Sequence, residues 1–190
     1  MASKRKPPLP KDPNVAGNFP VLVDLPSNIY EGIGKIVAAH ALLENCISET
    51  LFDLLKIDYP EGRVAFAYRA ASAQFDIVKR LIDLHGIKVP FNLKALDDNI
   101  EAACTARDQF AHGIWIERSG LPALRLTKGT YPTQEGTRSR ATLPQAVLVP
   151  PATYDNQRLA TLEIVKVVQE LQVAIRAALQ ALPDKSGEQS

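Results

Sequence analysis

Residues 27–56 read SNIYEGIGKIVAAHALLENCISETLFDLLK, and their pattern decides the fold class. Apolar side chains return every three or four residues, which is the spacing of one face of an α-helix. Ser27 is a favourable N-cap residue, so the helix is predicted to begin there. Gly32 and Gly34 are expected to weaken its first turns. The repeating positions are Ile29, Ile33, Ile36, Val37, His40, Leu43, Ile47, Leu51, Leu54 and Leu55. A helix with one such face must pack against other elements.

Three further stretches carry the same helical period. They cover residues 61–85, 91–112 and 155–182. In the first of them the apolar stripe runs from Val64 through Phe75 to Ile82. Gly86 is expected to stop that helix, and Gly113 is expected to cap the next one. The pattern alone therefore predicts four long amphipathic helices.

The period changes between the third and fourth of these helices. Residues 114–117 and 121–127 read as the strands of a short hairpin, with Trp115 and Leu124 as packing residues. Residues 146–149 add a third short strand, and the polar, Gly/Pro/Thr-rich residues 128–144 read as a loop. The predicted fold is all-α: a four-to-five-helix bundle with a small β-hairpin insert between the third and fourth long helices.

The size and composition of the chain indicate one domain. Its 190 residues are 46% hydrophobic, which suffices for one good core. We expect a flexible Pro-rich, basic tail over residues 1–26, a helical domain over 27–182 and a flexible tail over 183–190. The formal net charge of +1 indicates no global attraction to nucleic acid. Cys46 and Cys104 lie in apolar helical patterns, which predicts that they are reduced core residues of a cytoplasmic protein. No run is apolar enough for a membrane span, and the scattered His and Cys predict neither a metal site nor a cofactor.

The stretch RDQFAHGIW, residues 107–115, is the candidate for chemistry. Its arginine and histidine are five positions apart at a predicted helix end. An arginine can clamp a phosphoryl group, and an imidazole can move protons near neutral pH. In RNA cleavage by internal transesterification the 2′-hydroxyl loses a proton, charge builds on the phosphoryl oxygens and the 5′-oxygen gains a proton. Arg107 and His112 supply one group that can clamp the phosphoryl oxygens and one that can transfer a proton.

The same spacing occurs twice in the chain. Residues 80–85 read RLIDLH and are also followed by glycine. The residue after the arginine separates the copies, because Asp108 is polar whereas Leu81 is apolar. Asp108 lies four residues before His112, so it is expected on the same helical face, where it can hold or charge the imidazole. We therefore choose the second copy.

The surroundings of this copy resemble the HEPN superfamily of helical-bundle proteins. The segment ALLEN, residues 41–45, lies on an amphipathic first helix, a long second helix follows, and RDQFAHGIW ends the third. The family signature is R-x(4–6)-H with Asn, Asp or His directly after the arginine. Arg107, Asp108 and His112 fit its shortest form. The resemblance covers about residues 27–182.

The resemblance implies a metal-independent endoribonuclease that acts as a homodimer, with the motifs of two subunits together. Arg107 would bind the phosphate, His112 would transfer protons and Asp108 would orient or polarise a partner side chain. The product would be a 2′,3′-cyclic phosphate. Members of the family commonly serve in toxin–antitoxin or antiviral defence systems, so an antitoxin or nucleotidyltransferase partner is expected.

Two further groups of residues are candidates for supporting roles. His40 and Glu44 form an i, i+4 pair on the first helix, and a carboxylate that reaches Arg107 would fix its geometry. The alternative is an ordinary satisfied polar contact inside a bundle. Four basic residues could guide an RNA backbone, and a solvated loop is the alternative for them. They are Arg125, Lys128, Arg138 and Arg140.

Two other functions remain open on the sequence. One is a binding module of the same fold in which Arg107 and His112 contact RNA, a nucleotide or a partner without cleaving anything. The other is a structural dimerisation bundle, in which a histidine before glycine serves only the helix dipole. In that case Arg107 would pair with a carboxylate such as Glu101 or Asp108.

Overall fold

A computed structural model describes residues 22, 24–66, 69–118, 120–125 and 146–181. The elements in chain order are α1 (Ser27–Leu55), α2 (Tyr59–Phe66), α3 (Ala71–His85), α4 (Leu93–His112), β1 (Ile114–Arg118), β2 (Leu121–Arg125), β3 (Ala146–Leu148) and α5 (Pro151–Ala181). The predicted all-α architecture with a small β insert is confirmed. No helix within these ranges is long and apolar enough to cross a membrane.

The chain divides into two compact units. A helical unit contains α1, α2, α3, α5 and α4 as far as Ala111, and a β unit contains His112 and the three strands. The core of the helical unit forms where α1 packs against α3 and α5. Its fully buried side chains are apolar positions of the predicted stripes: Leu43, Ile47, Leu51, Phe75, Val78, Ile82, Ile100, Leu171 and Ile175. Burial of these faces is the main stabilising contribution.

The prediction of a single helix over residues 61–85 is wrong, because the structure has two helices there, α2 and α3. Val64, which the pattern placed on the apolar stripe, is 84% exposed on α2. The buried amide of Gln74 explains the separate start of α3. It donates a hydrogen bond to the carbonyl oxygen of Arg69 at 2.9 Å and accepts one from the hydroxyl of Ser48 at 2.7 Å. This contact with α1 holds the backbone before α3 outside the helix, and local periodicity does not encode it.

Two helix ends also differ from prediction. α5 begins at Pro151, before the predicted residue 155, because proline has a helical φ and lacks only an N–H that the first turn leaves unpaired. Gly113 is not a left-handed cap, since among the described glycines only Gly86 and Gly120 have positive φ. The chain passes from α4 through Gly113 directly into β1. By contrast, Gly86 ends α3 with φ 63°, as a glycine C-cap does.

The β unit is a three-stranded antiparallel sheet with strand order β1-β2-β3. Trp115 is directly opposite Leu124 in the β1–β2 register, and both are buried. This cross-strand pair confirms the two packing residues predicted for the hairpin. The backbone N–H of Leu22 donates to the carbonyl oxygen of Trp115 at 3.0 Å, so a residue far earlier in the chain joins this unit.

Candidate functional site

Five side chains of α1 and α4 lie together in the helical unit, and we call them the α1–α4 polar cluster. They are His40, Glu44, Cys104, Arg107 and Asp108. Helical spacing explains half of the arrangement. His40 and Glu44 are four residues apart and Cys104 and Arg107 are three apart, so each pair shares one face of its helix. The tertiary fold supplies the other half by placing the two faces against each other.

Two carboxylates hold Arg107. Its Nη1 lies 3.0 Å from Oδ1 of Asp108, and its Nη2 lies 3.5 Å from Oε1 of Glu44. The structure thus places Glu44 against Arg107 from a neighbouring helix, as the hypothesis of a supporting residue requires. These contacts orient the guanidinium, and 27% of the Arg107 side chain is exposed.

His40 is buried between Glu44 and Cys104. Its Nδ1 lies 3.6 Å from Oε1 of Glu44, and its Nε2 lies 3.4 Å from Sγ of Cys104. A carboxylate can only accept hydrogen bonds, so we assign the ring hydrogen to Nδ1, which leaves Nε2 to accept the thiol S–H. Burial lowers the pKa of His40, although Glu44 acts in the opposite direction. The imidazole is therefore neutral at neutral pH.

The buried imidazole predicts how folding stability depends on pH. The folded-state pKa of His40 lies below its ordinary 6.5, so the unfolded chain takes up the proton more readily. This contribution to stability is complete above the unfolded pKa and is lost as the pH falls from there towards the folded pKa. Thermal melts between about pH 7.5 and pH 5.5 should show a fall in Tm that is smaller in His40→Gln, which cannot titrate.

An equal fall in both proteins would contradict this assignment of the imidazole. The charged or titratable groups that act on His40 are Glu44, Arg107 and Asp108, with Cys104 at its other ring nitrogen. The comparison with His40→Gln separates the effect of this histidine from that of every other group in the chain.

Cys104 is a free thiol that is partly accessible. Burial raises the pKa of this thiol, and the carboxylates of Glu44 and Asp108 act in the same direction. A backbone hydrogen bond from Ser72 and the charge of Arg107 lower that pKa. Three helices therefore place groups near this sulfur. They are the backbone of Ser72 from α3, the charge of Arg107 from α4 and the imidazole of His40 from α1.

His112 is the last residue of α4 and is exposed. Within the described ranges no ion pair joins it to Asp108, whose carboxylate faces Arg107. Asp108 is thus placed to orient the arginine. His112 is left accessible to a substrate or to a second subunit.

The other copy of the motif differs in its surroundings. Arg80 is 78% exposed and pairs with Asp76 of its own helix at 2.7 Å. No ion pair recorded for the described chain connects Arg80 to another helix. His85 ends α3 as an exposed residue before Gly86. Of the two motif arginines, Arg107 is therefore the one that an acidic residue of a different helix contacts within the described chain.

The predicted RNA-contacting residues fall mostly outside the described chain. The backbone of Arg125 ends β2 opposite Ile114 in the β1–β2 register. Lys128, Arg138 and Arg140 lie outside the described residues. The hypothesis of a basic RNA-guiding loop stays a prediction.

Sequence reasoning assigned Cys104 to the core and did not place it in the cluster. Its position three residues before Arg107 was a usable signal, because that spacing predicts one helical face. Ser72 gave no such signal, since a backbone N–H contributes to the cluster only through the tertiary position of α3.

Comparisons with known proteins find no relatives of this chain. No protein-family model matches the chain, and no curated protein and no solved structure matches it either. A functional assignment must therefore come from the residues and contacts of this chain.

Proposed function

We propose that this protein is a metal-independent endoribonuclease of HEPN type that acts as a homodimer. The observation that carries the proposal is the position of Arg107, near the end of α4, where Glu44 of α1 and the adjacent Asp108 orient its guanidinium. An arginine held in this way presents planar hydrogen-bond donors to a phosphate. His112, exposed at the end of the same helix, supplies a proton-transfer group.

The proposed reaction is an internal transesterification. A histidine takes the proton of the 2′-hydroxyl, and the 2′-oxygen attacks the adjacent phosphorus. Arg107 stabilises the charge that builds on the phosphoryl oxygens. The bond to the 5′-oxygen breaks, and that oxygen receives a proton. The products are a 2′,3′-cyclic phosphate and a 5′-hydroxyl, and no metal is required.

The stoichiometry of proton transfer supports a dimer. The reaction needs one group that accepts a proton and one that donates a proton, whereas the chosen R-x4-H copy offers one exposed histidine, His112, in each chain. His40 is buried with its ring nitrogens towards Glu44 and Cys104, so it does not contact an RNA strand. A two-fold axis that brings two α4 ends to one cleft would provide both groups.

The biological setting proposed for this activity follows from the family resemblance. The protein would act in the cytoplasm as a toxin or an antiviral defence effector. An antitoxin or a nucleotidyltransferase would be its regulating partner. Arg125, Lys128, Arg138 and Arg140 would guide the RNA backbone towards the cleft.

Cleavage of RNA in the presence of EDTA tests the proposal directly. Purified wild-type protein is expected to cut an unstructured RNA labelled at its 5′ end. The 5′ fragments should end in a cyclic phosphate, which acid converts to a monophosphate before alkaline phosphatase can remove it. Binding without cleavage would instead indicate an RNA-binding module. If the protein neither binds nor cuts RNA, the structural-bundle function would replace the proposal.

A further inference from the structure

The sulfur of Cys104 has an environment that a core cysteine does not need. Nε2 of His40 lies 3.4 Å from it, and the backbone of Ser72 acts to lower the pKa of the thiol. Arg107 lies one helical turn further along α4 and adds a positive charge. A proton acceptor, an N–H donor and a cation thus converge on one partly accessible thiol.

The contact with Ser72 comes from the N-terminus of α3. The N-cap residue Ala70 has an extended backbone and provides no side-chain cap. The first N–H groups of a helix have no partner within it, and Ser72 is the second residue of α3. The backbone of Ser72, at the start of this 15-residue helix, acts to lower the pKa of the Cys104 thiol.

His40 is oriented to act as a base towards this sulfur. Its Nδ1 faces the carboxylate of Glu44, so Nε2 keeps the lone pair that points at the thiol. If the proton moves from sulfur to Nε2, Glu44 stabilises the imidazolium through Nδ1. The order Cys104, His40, Glu44 is that of a nucleophile, a base and a group that orients the base.

Cys46 provides an internal comparison, because within the described chain its sulfur has an N–H donor but neither an imidazole nor a cation beside it. It is 4% exposed, and its sulfur lies 3.8 Å from the amide nitrogen of Gln169. Burial and Glu49 raise the pKa of this thiol. No imidazole, arginine or helix N-terminus is recorded at Cys46 within the described chain.

We infer that Cys104 is a thiol-modification site for small hydroperoxides, with His40 as its proton acceptor. The sulfur attacks one peroxide oxygen, so an S–O bond forms as the O–O bond breaks. The thiol proton passes to Nε2 of His40 and then to the departing hydroxide, which leaves as water. Sulfur loses two electrons, the peroxide gains them, and the product is a sulfenic acid.

Small hydroperoxides fit the accessibility and the resting state of the site. The thiol is only partly exposed, which favours a compact reagent. Burial keeps Cys104 and His40 as a neutral pair at rest, because it raises the pKa of the thiol and lowers that of the imidazole. The proton is therefore transferred during the attack, when the sulfur becomes nucleophilic.

Mass mapping of the oxidised wild-type protein tests this inference without any assumption about RNA. Reduced protein is treated with hydrogen peroxide, dimedone traps the sulfenic acid, and digestion separates the Cys46 and Cys104 peptides. We expect the adduct on Cys104 to form at least about tenfold faster than on Cys46. His40→Gln, checked for folding by its melt, should slow the Cys104 reaction by about tenfold or more.

Equal rates at the two cysteines, or faster trapping at Cys46, would overturn the site. An unchanged Cys104 rate in folded His40→Gln would overturn the role of the imidazole. If that variant does not fold, the comparison of the two cysteines within the wild-type chain decides the inference. Cys104→Ser should remove the fast adduct and confirm its assignment.

Discussion

Arg107→Ala and His112→Ala are each expected to lower the rate of RNA cleavage in EDTA by at least about 100-fold. General acid–base catalysis by one side chain contributes about 10²–10⁴-fold, and a donor that stabilises transition-state charge contributes about 10²–10³-fold. His112 is exposed, and Arg107 contributes mainly charge to its surroundings. Both variants should therefore stay folded, as thermal melts recorded beside the cleavage rates would show.

The other R-x4-H copy provides matched controls. Arg80→Ala and His85→Ala should leave cleavage nearly unchanged, because Arg80 pairs only with Asp76 of its own helix and His85 is an ordinary exposed helix end. Arg107→Lys keeps the charge but loses the planar fork. It should retain more activity than Arg107→Ala and less than wild type.

The opposite pattern would identify the other copy as the site. If Arg80→Ala and His85→Ala are inactive while the Arg107 and His112 variants cleave normally, the choice of copy is wrong. Normal cleavage by all four variants would place the catalytic groups elsewhere in the chain.

Gly32→Ala is expected to destabilise the helical unit by about 1–3 kcal/mol, the usual cost of overpacking a core. A Cβ at this position would lie 2.5 Å from Cγ of the Tyr154 ring and 2.7 Å from Cδ1. That ring cannot easily move away, since Tyr154 is 4% exposed and its centroid lies 5.4 Å from that of Phe110. In a chain of this size Tm should fall by roughly 3–10 °C.

Gly34→Ala is the control for helix propensity. It lies on the same helix, and a Cβ there would meet nothing within 4 Å. This variant should therefore gain about 0.5–1 kcal/mol, because alanine favours a helix more than glycine does. A Tm of Gly32→Ala at or above that of wild type would show that the contact between α1 and α5 does not require glycine.

The candidate site was predictable from the sequence to the extent that it depends on helical spacing. The pair His40–Glu44 follows from i, i+4 spacing along one helix. The contact between Arg107 and the adjacent Asp108 was expected only for the structural-bundle alternative. The approach of Glu44 to Arg107 was available as a hypothesis about a neighbouring helix. The presence of Cys104 beside His40 and of Ser72 at the sulfur was not predicted, because both depend on how α1, α3 and α4 pack together.

Sequence patterns alone predicted the class of the fold, the four regions of helical period and the hairpin with Trp115 and Leu124 as packing residues. Such features follow from the repeat of apolar side chains, which is a local property. Three features depend on the tertiary structure. α2 and α3 are separate helices, and Gly32 lies against the ring of Tyr154. The carboxylate of Glu44 contacts both His40 and Arg107. These contacts join residues far apart in the chain, so they exist only once the apolar faces of the helices are buried against one another.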